Sequence, residues 1–292
     1  MSVPKMFSFD IFVCALPVFL LARHTSAHSF LTYLPVQHQF LQRSCGTSDP
    51  SNQLRSTHKA LEIEEPLDND LWNATMVQER HARFLVSRDS HDSVYARQAA
   101  STLFTIDTYI HIVDNDTSAS PSSRLYVTDL MIQDQFEYLQ LQYASASIGY
   151  RLVNISRTLN NVWASNGDDQ AMKSALRRGS YSALNIYYQA DLRSGGAASV
   201  PDDYTLLGYC TLPAAGITRT TNPTSYILDG CNVLSGTLPG GVQRLYNHGG
   251  TTVHEVGHWN GLLHTFQDNT CSEYGFGDYV ADTPQQAVAT GK

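Results

Sequence analysis

The run Thr252-Val253-His254-Glu255-Val256-Gly257-His258-Trp259-Asn260-Gly261-Leu262-Leu263-His264 organises the reading of this 292-residue chain. His254 and His258 stand at i and i+4, so on a helix both imidazoles project from one face and reach one ion. Glu255 follows the first histidine, which directs its carboxylate beside the metal rather than onto it. Gly261 can adopt backbone angles closed to other residues, end the helix and turn the chain. That turn lets His264 supply a third nitrogen. Three protein ligands leave a fourth tetrahedral position for water, the pattern of a catalytic zinc site. Zinc lowers the pKa of bound water from 15.7 to about 7, and Glu255 is then the candidate general base. A bare His-Glu-x-x-His arises by accident on many helices; Gly261 and His264 at fixed places make this one specific. His248 has no such partner spacing and reads as a loop residue.

Outward from that segment, the pattern alternates between strand and helix. Ile106, Thr108, Ile110 and Ile112 share one face of a strand over 105–113. After a turn-like stretch over 114–123, Ile132, Phe136, Leu139 and Tyr143 recur at helical spacing and predict an amphipathic helix over 129–144. A second strand is expected over 150–158, a short helix over 169–178 closed by Gly179, and a third strand over 184–188. From 194 to 250 the chain is rich in Gly, Pro, Ser and Thr, with short strand-like pieces at 206–212 and 225–228. The alternation predicts a mixed α/β (α+β) layer domain.

The N-terminus reads differently. Lys5 precedes an apolar run over 11–21, and Thr25-Ser26-Ala27 ends it, the three-part form of a signal peptide over 1–27; a buried apolar helix is the alternative. The run is too short for a comfortable membrane span. Residues 28–101 are polar and irregular, with no steady period before Trp72, and read as a pro-segment or leader in which helix could form over 76–100. The remaining domain covers 102–292. A net charge of −8 with only 16% charged residues offers no basic stripe for nucleic acid. Export would place Cys45, Cys210, Cys231 and Cys271 in an oxidising compartment. Cys210 and Cys231 flank the loop-rich excursion and are the preferred disulfide; a buried Cys210 thiol is the alternative. Sequons at Asn73, Asn115 and Asn154 could carry glycan.

The zinc segment with its flanks, together with Leu263-His264-Thr265-Phe266-Gln267 and Gly277-Asp278-Tyr279-Val280-Ala281-Asp282-Thr283-Pro284, resembles the metzincin metallopeptidases. Within them it is similar to the pappalysin-like secreted proteases of fungi. Asp107-Thr108-Tyr109-Ile110-His111, the segment from Ala171 to Gly179 and Leu206-Leu207-Gly208-Tyr209 extend the likeness upstream. The resemblance implies a twisted mixed sheet with two long helices, the second carrying the zinc ligands, and a substrate lying along an edge strand. It implies a secreted, monomeric zinc endopeptidase acting on protein or peptide substrates, with His254, His258 and His264 on the metal and Glu255 as catalytic base.

The family pattern marks two further sets of residues. Arg43-Ser44-Cys45-Gly46 resembles a cysteine switch, in which a pro-segment thiolate takes the fourth zinc position; Cys45 could instead be a disulfide partner. The 278–283 stretch resembles a Ca2+-binding region of relatives, although short acidic turns are commonly just solvated. Metzincins also carry a methionine turn after the third histidine. Met1, Met6, Met76, Met131 and Met172 all precede His264, so the sequence reads as truncated before that turn. A zinc-binding pseudoenzyme is the alternative to an active protease. A thermolysin-like site would take a distant Glu as third ligand, which the compact spacing of His264 disfavours.

Overall fold

The alternation predicted around Ile110 forms the centre of a sheet. Strand β2 (Phe104–Asp114) places Thr108, Ile110 and Ile112 on one buried face and His111 and Val113 on the other. A computed structural model of the chain describes residues 42–64, 104–192, 204–267, 277–280 and 283–288. The backbone divides into a unit spanning Arg43–Leu262 and a second made of Met1–Gln42 and Leu263–Lys292.

In the larger unit β1 (Gln42–Cys45) and α1 (Asn52–Glu64) precede β2. They are followed by α2 (Asp129–Tyr143), β3 (Ile148–Leu159), α3 (Asn161–Ala164), α4 (Asp169–Leu176) and β4 (Leu184–Gln189). Then come β5 (Tyr204–Cys210), α5 (Pro223–Leu228), β6 (Cys231–Leu234) and α6 (Gly250–Trp259). The strands make one mixed sheet in the order β1-β5-β6-β4-β2-β3. Strand β2 runs parallel to β3 and β4, β4 runs parallel to β6, and β5 is antiparallel to β6. The fold is mixed α/β, as the strand–helix alternation implied.

Helices α2 and α6 share the main core with one sheet face, where Ile110, Ile112, Ile132, Leu139, Leu184, Ile186 and Val256 are almost fully buried. Each such side chain contributes roughly 1.5–3 kcal/mol by leaving water. Helix α2 starts where Thr128 Oγ1 accepts the Met131 N–H at 3.2 Å, an N-cap bond. The opposite face packs Val113 and Tyr187 against Ala164 of α3 and Met172 of α4.

Several sequence expectations are corrected. The 225–228 piece is helix α5, because Asn222 Oδ1 caps it by accepting the Ser225 N–H at 3.2 Å and Pro223 sits in its first turn, both helix-start signals. The strand in this region is β6, four fully buried residues just after Gly230, too few to show a period. Helix α4 ends at Leu176 rather than at Arg178, since Arg177 turns to extended backbone and pairs with Asp229 at 2.8 Å inside the protein. The 28–101 stretch is not wholly irregular: it supplies β1 and α1. The signal peptide, the expected helix over 76–100, Asn73 and Cys271 lie outside the described residues. Cys210 and Cys231 face each other in the β5–β6 register and form a disulfide.

His111 is buried between three strands. Its Nδ1 lies 2.7 Å from Ser156 Oγ on β3 and its Nε2 3.1 Å from Asn185 Oδ1 on β4, while the ring stacks on Tyr187. Burial lowers its pKa from the ordinary 6.5 to about 4. The unfolded chain therefore takes up this proton at a higher pH than the folded one, and stability falls as pH drops from about 6.5 to about 4. The loss through this residue should reach at most about 3 kcal/mol. Thermal unfolding of wild type and His111→Gln at pH 7 and pH 4 checks this. The wild type should lose more Tm on acidification than the variant; equal losses would refute the assignment.

Candidate metal centre

Helix α6 carries the histidine pair and is tied at both ends. Near its start, Gln135 Nε2 donates to Gly249 O at 3.1 Å and Tyr143 OH donates to Val253 O at 3.0 Å, both from α2. Tyr188 OH and Thr252 Oγ1 share a buried bond of 3.1 Å, linking β4 to the first turn. At its end, Trp259 Nε1 donates to Asp229 Oδ1 at 3.1 Å and Asn260 Nδ2 donates to Tyr150 OH at 2.9 Å. Asp229 is itself held by Arg177 and by Thr211 Oγ1 at 3.0 Å. A buried charge pair of this kind is costly to break from one side.

The helix closes as the glycine spacing predicted. Gly261 has φ +100°. Its N–H reaches His258 O and the Leu262 N–H reaches Gly257 O, each at 2.9 Å, the paired bonds of a Schellman turn. The turn has a chemical consequence. It brings Leu262 O to 2.8 Å from His258 Nδ1. A carbonyl can only accept, so Nδ1 carries the proton and Nε2 presents its lone pair. This is the second-sphere bond that fixes the tautomer of a metal-binding histidine. Burial also lowers the pKa of His258, favouring the neutral form that ligates.

His254 Nε2 and His258 Nε2 stand 3.1 Å apart with the rings edge to face. Two imidazoles bound to one zinc at about 2.0–2.1 Å in tetrahedral geometry have nitrogens roughly 3.3 Å apart, so the pair fits a shared ion. Cys45 Sγ joins them: the three candidate ligand atoms lie within 4.8 Å of one another.

Glu255 points to the sheet side of the helix and is 1% exposed. It fits there because Gly208 of β5 has no side chain; a Cβ on Gly208 would meet Glu255 Cγ at 2.7 Å. Burial pushes the Glu255 carboxyl up to about 8, a direction that suits a group exchanging protons near neutrality. Its Oε2 receives Cys45 Sγ at 3.5 Å and Thr47 Oγ1 at 3.4 Å. Thr47 Oγ1 in turn accepts the Cys210 N–H at 3.0 Å, and the Gly46 N–H donates to Gly208 O at 2.8 Å. The backbone ladder on β5 thus carries Cys45 and Thr47 to the carboxylate. Burial and the nearby Glu255 charge raise the Cys45 thiol well above its ordinary value.

Of the residues singled out by sequence, the structure therefore brings together His254, Glu255, His258 and Cys45. Among the described residues Cys45 is a free thiol, not a disulfide partner. His264 falls in the second unit, where its ring stacks on Phe266, and its assignment as third ligand rests on spacing. Asp278 is buried in that unit and accepts the Val280 N–H at 3.1 Å, while Asp282 lies outside the described residues. Sequence reasoning missed Thr47 and named Gly208 only within a family-like segment, without its role against Glu255. An isolated glycine inside a strand pattern is a recognised sign of close backbone approach; Thr47 gave no signal of its own.

No protein-family model matches the chain. It is 42% identical over 262 residues to an extracellular metalloprotease of Aspergillus fumigatus, an alignment covering 84% of this chain and 73% of that protein. It is 38% identical over 260 residues to an extracellular metalloprotease of Aspergillus oryzae, covering 84% and 74%. The solved structure of mirolysin covers 64% of this chain and 73% of that chain at 24% identity and a TM-score of 0.45, too remote to add to the argument. Identity at this level along most of both proteins, with the helix-borne histidine pair in place, means that this chain belongs to the extracellular metalloprotease family.

Proposed function

We propose that the chain is an exported zinc endopeptidase of the metzincin type, made in a latent form. The observation that carries the reading is the histidine pair with Nε2 atoms 3.1 Å apart, one ring locked in the ligating tautomer, beside the buried carboxylate of Glu255. His254 and His258 would hold the ion, and His264, delivered by the turn at Gly261, would complete the protein ligands. A zinc ion bound there supplies Lewis-acid polarisation and acidifies water to a pKa of about 7. Glu255 Oε2 takes the proton from the attacking water and returns it to the leaving amine. The two long helices of the metzincin pattern correspond to α2 and α6, and the substrates are protein or peptide chains.

Cys45 gives the latent form its physical basis. Strand β1 occupies the edge of β5, and its last residue sets a thiol among the histidine nitrogens. A thiol bound to a metal is deprotonated, and here its hydrogen faces Glu255 Oε2. The switch thus engages the ligand position and the base together. Calcium binding at Asp278 and Asp282 stays a proposal of the resemblance alone.

Chelation of the processed, secreted protein should abolish cleavage of a protein substrate, and zinc should restore it. Glu255→Gln should keep its zinc by metal analysis yet lose roughly 10²–10⁴-fold in turnover; near-normal turnover would remove Glu255 from its role. Cys45→Ser should make the unprocessed chain active before cleavage. An unprocessed Cys45→Ser protein as silent as the wild type would defeat the switch.

A further inference from the structure

Strand β3 is the last of the sheet order, and its outer edge pairs with no other strand among the described residues. It is long, from Ile148 to Leu159, and an edge of that length is a template for pairing with another chain. Its protective charges are partly spent. Arg151 is bound to Asp107 at 2.6 Å and Arg157 to Asp129 at 2.7 Å. Between them lies the uncharged stretch Leu152-Val153-Asn154-Ile155-Ser156, with Val153 45% and Ile155 39% exposed. Among the described residues this part of the edge carries no charged side chain.

Asn154-Ile155-Ser156 is also a glycosylation sequon. The β2–β3 register slips here: Thr108 pairs with Leu152 and Tyr109 with Asn154, so Val153 is the extra residue of a bulge. Asn154 is exposed on the strand. Asn115 differs. Its Oδ1 accepts the N–H groups of Thr117 and Ser118 at 3.0 and 2.8 Å, which commits its side chain to the turn after β2.

We infer that Asn154 carries an N-linked glycan and that this glycan shields the edge of β3, unpaired among the described residues, from pairing with a second chain. The reaction is the ordinary one of the secretory pathway. Asn154 Nδ2 attacks the anomeric carbon of a polyprenyl-pyrophosphate-linked oligosaccharide, an N–C bond forms, the sugar–phosphate C–O bond breaks, the lipid pyrophosphate leaves, and the amide proton passes to a base. The inference rests on the export proposed above and not on the metal site. A bulky hydrated sugar at a bulge in mid-strand blocks edge-to-edge approach for the same reason that charge does.

The test is secretion from a yeast host, then peptide mapping after enzymatic removal of N-glycans, which turns an occupied asparagine into aspartate. Occupancy at Asn154, together with onset of self-association at a several-fold lower concentration in Asn154→Gln by sedimentation, supports the inference. Endoglycosidase trimming of the folded wild type gives the same readout without a substitution. A secreted protein with Asn154 unmodified overturns the inference while leaving export intact; retention inside the cell with Asn154 bare overturns both. Occupancy with no change in self-association, for both the variant and the trimmed protein, overturns the shielding role.

Discussion

The arrangement depends on how closely α6 lies against β5. Glu255 occupies the space that any side chain at position 208 would need, since a Cβ on Gly208 would sit 2.7 Å from its Cγ. Packed interiors leave little slack for such an overlap. That single contact separates the functions of two neighbouring residues on one helix. His254 faces outward and is exposed, whereas Glu255 turns to the sheet and is buried. The bonds from Tyr143, Tyr188, Trp259 and Asn260 then fix the helix along its axis and about it. Rotation of α6 about its axis would carry the carboxylate off Gly208 and shift both imidazoles with it.

Much of this was legible in the sequence because it obeys local rules. The helical face of His254 and His258, the termination at Gly261, strand β2 and helix α2 are all set by periodicity and by residues with narrow backbone preferences. The illegible parts depended on partners distant in sequence. Strand β6 is four residues long and is a strand only because β4 and β5 flank it. Helix α5 carries β-forming residues, yet the cap at Asn222 and the proline decide its conformation. Arg177 leaves α4 early because its charge has a buried partner, Asp229, far along the chain. The glycine-rich look of 194–250 concealed β6, whereas β5 showed in the sequence as the strand-like piece at 206–212.

The site itself divides the same way. The candidate ligands came from spacing, but the tautomer of His258 comes from a carbonyl that only the folded turn delivers. The same glycine that ends the helix therefore also prepares the ring: without φ +100° at Gly261 the chain would not bring Leu262 O back over His258. Helix termination and ligand orientation are one structural event. A residue read as punctuation has a chemical effect.

Strand β1 shows how an edge pairing can bring particular side chains to a site. Antiparallel or parallel pairing alone gives β1 no chemical specificity, since backbone bonds form with any extended segment. Specificity comes from the residues just past the ladder. Gly46 extends it by one bond, after which Thr47 bridges the Cys210 amide and the Glu255 carboxylate. Cys45 lies before this bridge, held by the Thr47 amide at 3.5 Å as well as by Glu255. Any other extended segment on the same edge could make the backbone bonds one for one. The thiol and the hydroxyl belong to this segment's own sequence, so they, and not the ladder, distinguish it.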